Sequence, residues 1–199
     1  MIKTIIFDFA GVLTPSKCFP QIAKNLGEQY RIDSSIIMKS LYDAEENYVI
    51  GKETTESFYN NSCKPLWISF ADFFHHFQSW YILDEDILSY IKQLKGKYEI
   101  VLHSDNFEII SEELKKNPKL TSIFDQMIFS NDIGYNKTQR AAFKFTLNKI
   151  NKEPNECIFT DDKEKNLVAA EELGIHTILY TSLADFQNKL ENYLSTQNI

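Results

Sequence analysis

Five short apolar runs, at positions 4–9, 98–103, 126–129, 156–160 and 177–180, constrain this chain more than any other feature. They are rich in Ile, Val and Phe and lack polar alternation, so they predict strands covered on both faces, as in the centre of a parallel sheet. Helical patterns lie between the later runs, at 108–116, 138–150 and 163–173. Asp105-Asn106 precedes the first of these and suits a helix start, while Gly174 follows the last and suits a helix stop. Strand–helix alternation needs right-handed crossovers, and therefore predicts an α/β fold with a doubly wound parallel sheet.

The first two runs are separated by far more chain than one crossover needs. That interval carries helical patterns at 21–30, 34–49, 54–61, 70–80 and 84–94. A loop of such length would be implausible in a compact domain. Residues 15–82 are therefore expected to form a small helical insertion in a core built from 1–14 and 83–199, with 84–94 returning to that core. No internal repeat or low-complexity linker interrupts the pattern.

With 43% hydrophobic residues, including 15 Phe and 10 Tyr, the chain can bury a sizeable core. A net charge of −7 and the lack of any Lys/Arg block argue against nucleic acid or an anionic membrane as partner. No apolar run approaches the roughly 18 residues of a membrane span. Asp8 interrupts the apolar N-terminus, which reads as a buried strand rather than a leader. Cys18, Cys63 and Cys157 form no C-x-x-C pair, so free thiols and a reducing, cytoplasmic setting are expected.

Ligands of open α/β sheets bind beyond the carboxyl ends of the strands. The first run leads to Asp8, the second to Ser104 and the fourth to Asp161-Asp162, and Lys137 follows the third. Taken singly, each has a plain structural explanation: Asp8 as a turn residue, Ser104 and the acidic pair as helix caps, Lys137 as a solvated side chain. Together they make a phosphoryl-transfer set. A carboxylate can attack phosphorus and split one hard displacement into two easier ones. Anion attacking anion needs neutralisation, which Mg²⁺ held by oxygen ligands supplies. An ammonium group and a hydroxyl can stabilise the charge spreading over the phosphoryl oxygens. His103 should face away from Ser104 in a strand and pack, and the neighbouring His75 and His76 cannot share one helix face for a metal.

At these residues the sequence resembles the haloacid dehalogenase-like superfamily of phosphatases, over nearly its whole length. IIFDFAGVLT resembles the family's first motif, with Asp8 as nucleophile; VLHSDN the second, with Ser104 as phosphate-binding hydroxyl; IGYNKTQRAAF the third, with Lys137 as its lysine. IFTDDKEKNLVAAEELGI is similar to the fourth, which places Asp162 as a direct magnesium ligand and Asp161 as its acidic neighbour. The resemblance implies a Rossmann-like three-layer α/β/α core with an inserted α-helical cap. It also implies a Mg²⁺ site that includes the Ala10 main-chain carbonyl, and a small phosphorylated substrate held by Ser104, Asp105 and Lys137. VIGKETTESF resembles a stretch of the cap in small sugar-phosphate phosphatases.

Three departures qualify this expectation. The family's first motif reads Asp-x-Asp, and Ala10 stands where the second carboxylate would protonate the leaving group and activate water. Loss of a general acid–base removes roughly 10²–10⁴-fold of rate. Asp105 takes the place of an Asn, and Thr138 that of a Pro, where it should start the following helix equally well. The expected function is a Mg²⁺-dependent phosphohydrolase acting through an aspartyl-phosphate. The alternative is a catalytically impaired relative kept for binding or regulation. A dinucleotide-binding fold would need G-x-G-x-x-G after the first strand, where AGVLT stands.

Overall fold

The computed structural model describes residues 1–196. Five strands form one parallel sheet: β1 (Thr4–Phe7), β2 (Glu99–Ser104), β3 (Gln126–Phe129), β4 (Cys157–Asp161) and β5 (His176–Leu179). Their order is β3-β2-β1-β4-β5, with every neighbouring pair parallel. The chain crosses from one side of β1 to the other between β3 and β4, so the sheet has its topological switch point at β1, where such folds open a crevice. Ile5, Phe7, Ile100 and Leu102 are buried in one hydrophobic layer, and Ile6, Val101, Cys157 and Phe159 in another. Successive strand residues face opposite sides, so both faces of the sheet must be covered and the α/β/α sandwich follows.

Between β1 and β2 lie α1 (Cys18–Tyr30), α2 (Ser34–Tyr48), α3 (Thr55–Ser62), α4 (Phe70–Ser79) and α5 (Glu85–Leu94). The chain leaves the sheet and returns to it at adjacent points, since Asp84 N donates to the Leu13 carbonyl at 2.9 Å. The first four helices pack around Phe58, Phe73 and Phe77, all fully buried. Phe107, just beyond β2, stacks on Phe19 of α1 at 5.2 Å and 9° and on Tyr48 of α2 at 5.1 Å and 11°. The helical segment is thus keyed to the sheet by an aromatic stack, and not only by its two connecting strands of chain.

The remaining helices are α6 (Glu108–Lys116), α7 (Pro118–Ile123), α8 (Ser130–Ile133), α9 (Arg140–Ile150), α10 (Glu164–Glu171) and α11 (Leu183–Thr196). The patterns placed α6 at its observed limits, whereas α7, α8 and α11 have no counterpart in the expected elements. Among the described residues no helix is long and apolar enough to cross a membrane. Cys18, Cys63 and Cys157 are free thiols.

Several local expectations are corrected. β1 stops at Phe7, because the chain then turns: Leu13 N donates to the Phe9 carbonyl and Gly11 N to the Thr14 carbonyl, both at 2.8 Å. Asp105-Asn106 does not cap α6, whose N-cap is Phe107, with no side-chain cap; the Asp105 carboxylate is engaged elsewhere. Thr138 does not start α9. Its amide and hydroxyl both donate to Asn136 Oδ1, and the helix begins at Arg140.

Candidate active site

Three carboxylates arrive at the carboxyl edge of the sheet because of where their strands end. Asp8 directly follows β1, Asp161 is the last residue of β4, and Asp162 follows it. β4 pairs with β1 in a register that sets Thr160 beside Phe7, so Asp161 comes level with Asp8. One oxygen from each of Asp8, Asp161 and Asp162 can lie within 4.8 Å of the others. Lys137, from the segment after α8, enters this group with only 1% of its side chain exposed. Its Nζ lies 2.6 Å from Asp8 Oδ1 and 2.6 Å from Asp161 Oδ2.

The two members of the acidic pair differ sharply. Asp161 is saturated: Oδ1 accepts from Lys163 N at 2.8 Å and Asn166 Nδ2 at 3.1 Å, and Oδ2 from Lys137 Nζ at 2.6 Å and Asn166 Nδ2 at 3.0 Å. Asp162 Oδ1 is buried without any hydrogen-bond partner. A buried carboxylate oxygen left so is costly unless something cationic meets it.

Burial dominates the titration of the group. It pushes the Asp8 carboxyl up to about 7, against the opposing pull of Lys137. Asp162 is also raised by burial, against Lys163 and Lys17. Burial would raise Asp161 as well, yet Lys137 and Asn166 outweigh it and hold that carboxyl below its ordinary value. For Lys137, burial favours the neutral amine, but Asp8, Asp161 and Asp105 overcome it and keep the group charged. Four carboxylates (Asp8, Asp105, Asp161, Asp162) surround this single buried ammonium. The surplus negative charge, the all-oxygen donor set and the partnerless Asp162 oxygen fit a hard divalent cation such as Mg²⁺.

These groups form one wall of a cavity of about 430 Å³. Asp8, Ala10, Asp105, Lys137, Asp162 and Asn166 contribute from the sheet side, and Lys17, Tyr42 and Glu45 from the helical segment. Of the residues singled out from sequence, Asp8, Ala10, Asp105, Lys137 and Asp162 thus meet in one place. Asp161 lies beneath them, fully buried. Ser104 is 1% exposed and outside the lining, with its Oγ 3.5 Å from the Asp105 carbonyl oxygen. His103 packs, as its strand position requires: it is fully buried, and its Nδ1 lies 3.1 Å from Thr146 Oγ1. His76 meets Gln29 rather than a metal group.

Asn166 and Gly11 escaped the sequence reading. The signal for Asn166 was its place in the first turn after Asp161-Asp162, where a side chain can reach back to the strand end. Gly11 adopts φ +89°, and a Cβ there would lie 2.4 Å from the Asp162 carboxylate carbon. Gly11→Ala should therefore displace Asp162, besides incurring about 1–2 kcal/mol of backbone strain. The expected result is a folded protein whose melting temperature no longer rises with Mg²⁺, read by thermal shift. A response equal to wild type would mean that Asp162 does not hold the cation.

A parallel sheet that gathers three carboxylates and a buried lysine at its carboxyl edge defines an α/β protein with an oxygen-rich site suited to a hard divalent cation. The chain belongs to the haloacid dehalogenase-like hydrolase family, whose sequence profile matches residues 2–174. It is 25% identical to the D-ribitol-5-phosphate phosphatase of Bacteroides thetaiotaomicron, over 98% of this chain and all of that protein. It is 27% identical to mouse (Mus musculus) acyl-CoA dehydrogenase family member 10 over 88% of its own length, and spans only 18% of that larger protein. In structure it resembles a haloacid dehalogenase-family enzyme of Bacteroides thetaiotaomicron, with a TM-score of 0.79 and 22% identity over 95% of this chain and 98% of that one. That enzyme also forms complexes with magnesium and inorganic phosphate, both as wild type and as an aspartate-to-alanine variant.

Proposed function

We propose that this chain is a Mg²⁺-dependent phosphatase of a small, sugar phosphate-like metabolite, with Asp8 as nucleophile. The observation that carries this reading is the buried Asp8–Lys137–Asp161 array beside the partnerless Asp162 oxygen, on the wall of a metabolite-sized cavity. Asp8, Asp162 and the Ala10 carbonyl would hold Mg²⁺, with Asp161 close behind. When bound, the ion offsets the anionic charge of phosphate and carboxylate and orients them.

The chain's own groups supply the rest. Asp8 presents its carboxylate from the rigid end of β1 and forms the aspartyl-phosphate. Lys137 keeps its proton throughout and faces the oxygens on which charge collects. Asp161, fixed by Asn166 and the Lys163 amide, keeps Lys137 in place. The helical segment 15–82 would act as a cap, with Lys17, Tyr42 and Glu45 contributing to the lining of the cavity that receives the substrate. Ser104, at the end of β2 with little exposure of its own, would reach phosphate only after a local shift of residues 104–106.

A second reading, a binding protein with little turnover, draws on Ala10, which offers no acid–base carboxylate. A phosphate-release assay over a panel of sugar, polyol and aryl phosphates separates the two. Hydrolysis that needs Mg²⁺, stops with a chelator and returns with added Mg²⁺ is the expected outcome. Ligand-induced stabilisation without phosphate release would favour the binding protein, and metal-independent hydrolysis would remove the proposed cation site.

A further inference from the structure

Expelling an alkoxide from phosphorus requires a proton on the departing oxygen, and hydrolysing a phosphoenzyme requires a base for water. Position 10 offers only a methyl group. Of the carboxyls around the cavity, Asp8 is consumed as nucleophile, Asp161 is locked by Lys137, Asn166 and the Lys163 amide, and Asp162 faces the cation position. Asp105 and Glu45 remain, both lining the same cavity.

Their settings differ. Glu45 sits on the cap helix α2, and among the described residues no hydrogen bond or ion pair fixes its carboxyl. Asp105 is held. Its Oδ1 accepts the Lys137 backbone N–H at 2.9 Å, while its other oxygen has no protein partner among the described residues and is not sealed from the cavity. β2 pairs with β1 as far as Leu102 beside Phe7, and Asp105 follows the end of β2 as Asp8 follows the end of β1, so both carboxyls arise at the same edge of the sheet. The neighbouring strand therefore delivers a second carboxyl to the cavity that Asp8 and Ala10 line. Burial raises the Asp105 carboxyl above the usual range, against Lys137 and Lys163 and with the help of Asp161. Glu45 is the further charge that feels it from the cap.

We propose that Asp105 is the acid–base residue of this site, which makes phosphate monoesters of ordinary alcohols, and not only aryl or acyl phosphates, its substrates. The inference rests on the phosphatase reading above. In the first step Asp8 bonds to phosphorus, the phosphorus–alkoxide bond breaks, and the Asp105 proton passes to the departing oxygen. In the second, water bonds to phosphorus and gives its proton to the Asp105 carboxylate. The Asp8–phosphorus bond breaks, leaving inorganic phosphate, Asp8 as carboxylate and Asp105 protonated again.

The test compares kcat/KM for glycerol phosphate, whose alkoxide needs the proton, with that for 4-nitrophenyl phosphate, whose phenolate leaves unaided. Asp105→Asn keeps an acceptor for the Lys137 amide, so the fold should persist. It should cut the alkyl value by roughly 10²-fold or more and the aryl value by less than about 10-fold. It should also remove the loss of alkyl kcat/KM that wild type shows as rising pH deprotonates the acid. Moving the carboxyl back, in Ala10→Asp combined with Asp105→Asn, should recover at least about 10-fold of the alkyl activity. Equal losses on both esters in Asp105→Asn would overturn the proposal, as would a selective alkyl loss that appears in Glu45→Gln instead. Wild-type protein that releases phosphate from neither ester would bring down the phosphatase reading itself, a different failure.

Discussion

Asp8→Asn should stop turnover on every phosphate ester, by at least about 10⁴-fold, because an amide oxygen is a poor nucleophile toward phosphorus and no second carboxylate occupies its place. The loss should not come from unfolding. Asn is close to isosteric, and Lys137 keeps its second anionic partner, Asp161, at 2.6 Å. The wild-type carboxyl is already unfavourable where it sits, pushed up to about 7 chiefly by burial. A group raised in the folded state favours folding while protonated, and that gain is lost as pH rises through the folded value. The neutral amide escapes this loss, so the variant should be as stable as wild type near neutral pH, or slightly more so. Urea unfolding and a phosphate-release assay, run on the same preparation, check both halves. Beryllium fluoride, a phosphoryl mimic, should form its adduct on Asp8 of the wild type only. Turnover above about 1% of wild type in Asp8→Asn would assign the nucleophile elsewhere.

Much of the fold was readable because each strand is buried on both faces and so writes an uninterrupted apolar run. β3 fell at its expected limits, and the others shifted by one or two residues at their ends. Those ends are where hydrogen bonding, not hydrophobicity, decides: β1 gives way at Phe7 to a turn built around Gly11. The missed helices have separate causes. α7 and α8 are too short for a period to show. α11 did carry a signal, for Phe186 and Leu190 stand one turn apart and are buried against the sheet. The polar site was legible as residue types at strand ends, since topology alone brings Asp8, Asp161 and Asp162 together. What those residues do to one another was not legible. That Asp161 is locked and Asp162 left open depends on Asn166 and on where α10 begins. Asp105 reads in the sequence only as a carboxylate in the place of an Asn, and the structure alone shows it held by the Lys137 amide at the cavity.

Lys137→Met should be the most damaging single change to stability at this site, and its effect should depend on pH in a definite direction. The ammonium is buried, contacts Asp8 and Asp161 at 2.6 Å each, and lies in the field of Asp105. Met keeps the length of the stem, so the loss is chiefly electrostatic, and it includes the approach of Nζ to 5.7 Å from the Phe159 ring centroid. Removing one partner from a buried charge cluster costs about 3–5 kcal/mol, because the other charges stay uncompensated. In wild type, Asp161 is held low by Lys137 and contributes stability that is present above the ordinary carboxylate range and lost as pH falls. Without Lys137 that contribution disappears, and burial raises Asp8 and Asp161 together. Each then stabilises the fold only while protonated, a gain lost as pH rises through the new, higher values. The deficit relative to wild type should therefore be small near pH 5, where protons replace the ammonium, and largest near about pH 8. Added Mg²⁺ should recover part of it at the higher pH, since a cation beside Asp8 and Asp162 supplies some of the missing charge. Under the proposed function turnover should fall by roughly 10²–10³-fold at every pH even so, because the ion would not replace the hydrogen bonds that Lys137 is proposed to give the phosphoryl oxygens. Urea unfolding of both proteins at the two pH values, with and without Mg²⁺, measures this directly. A deficit that stays constant with pH would show that Lys137 acts on stability through packing and not through charge.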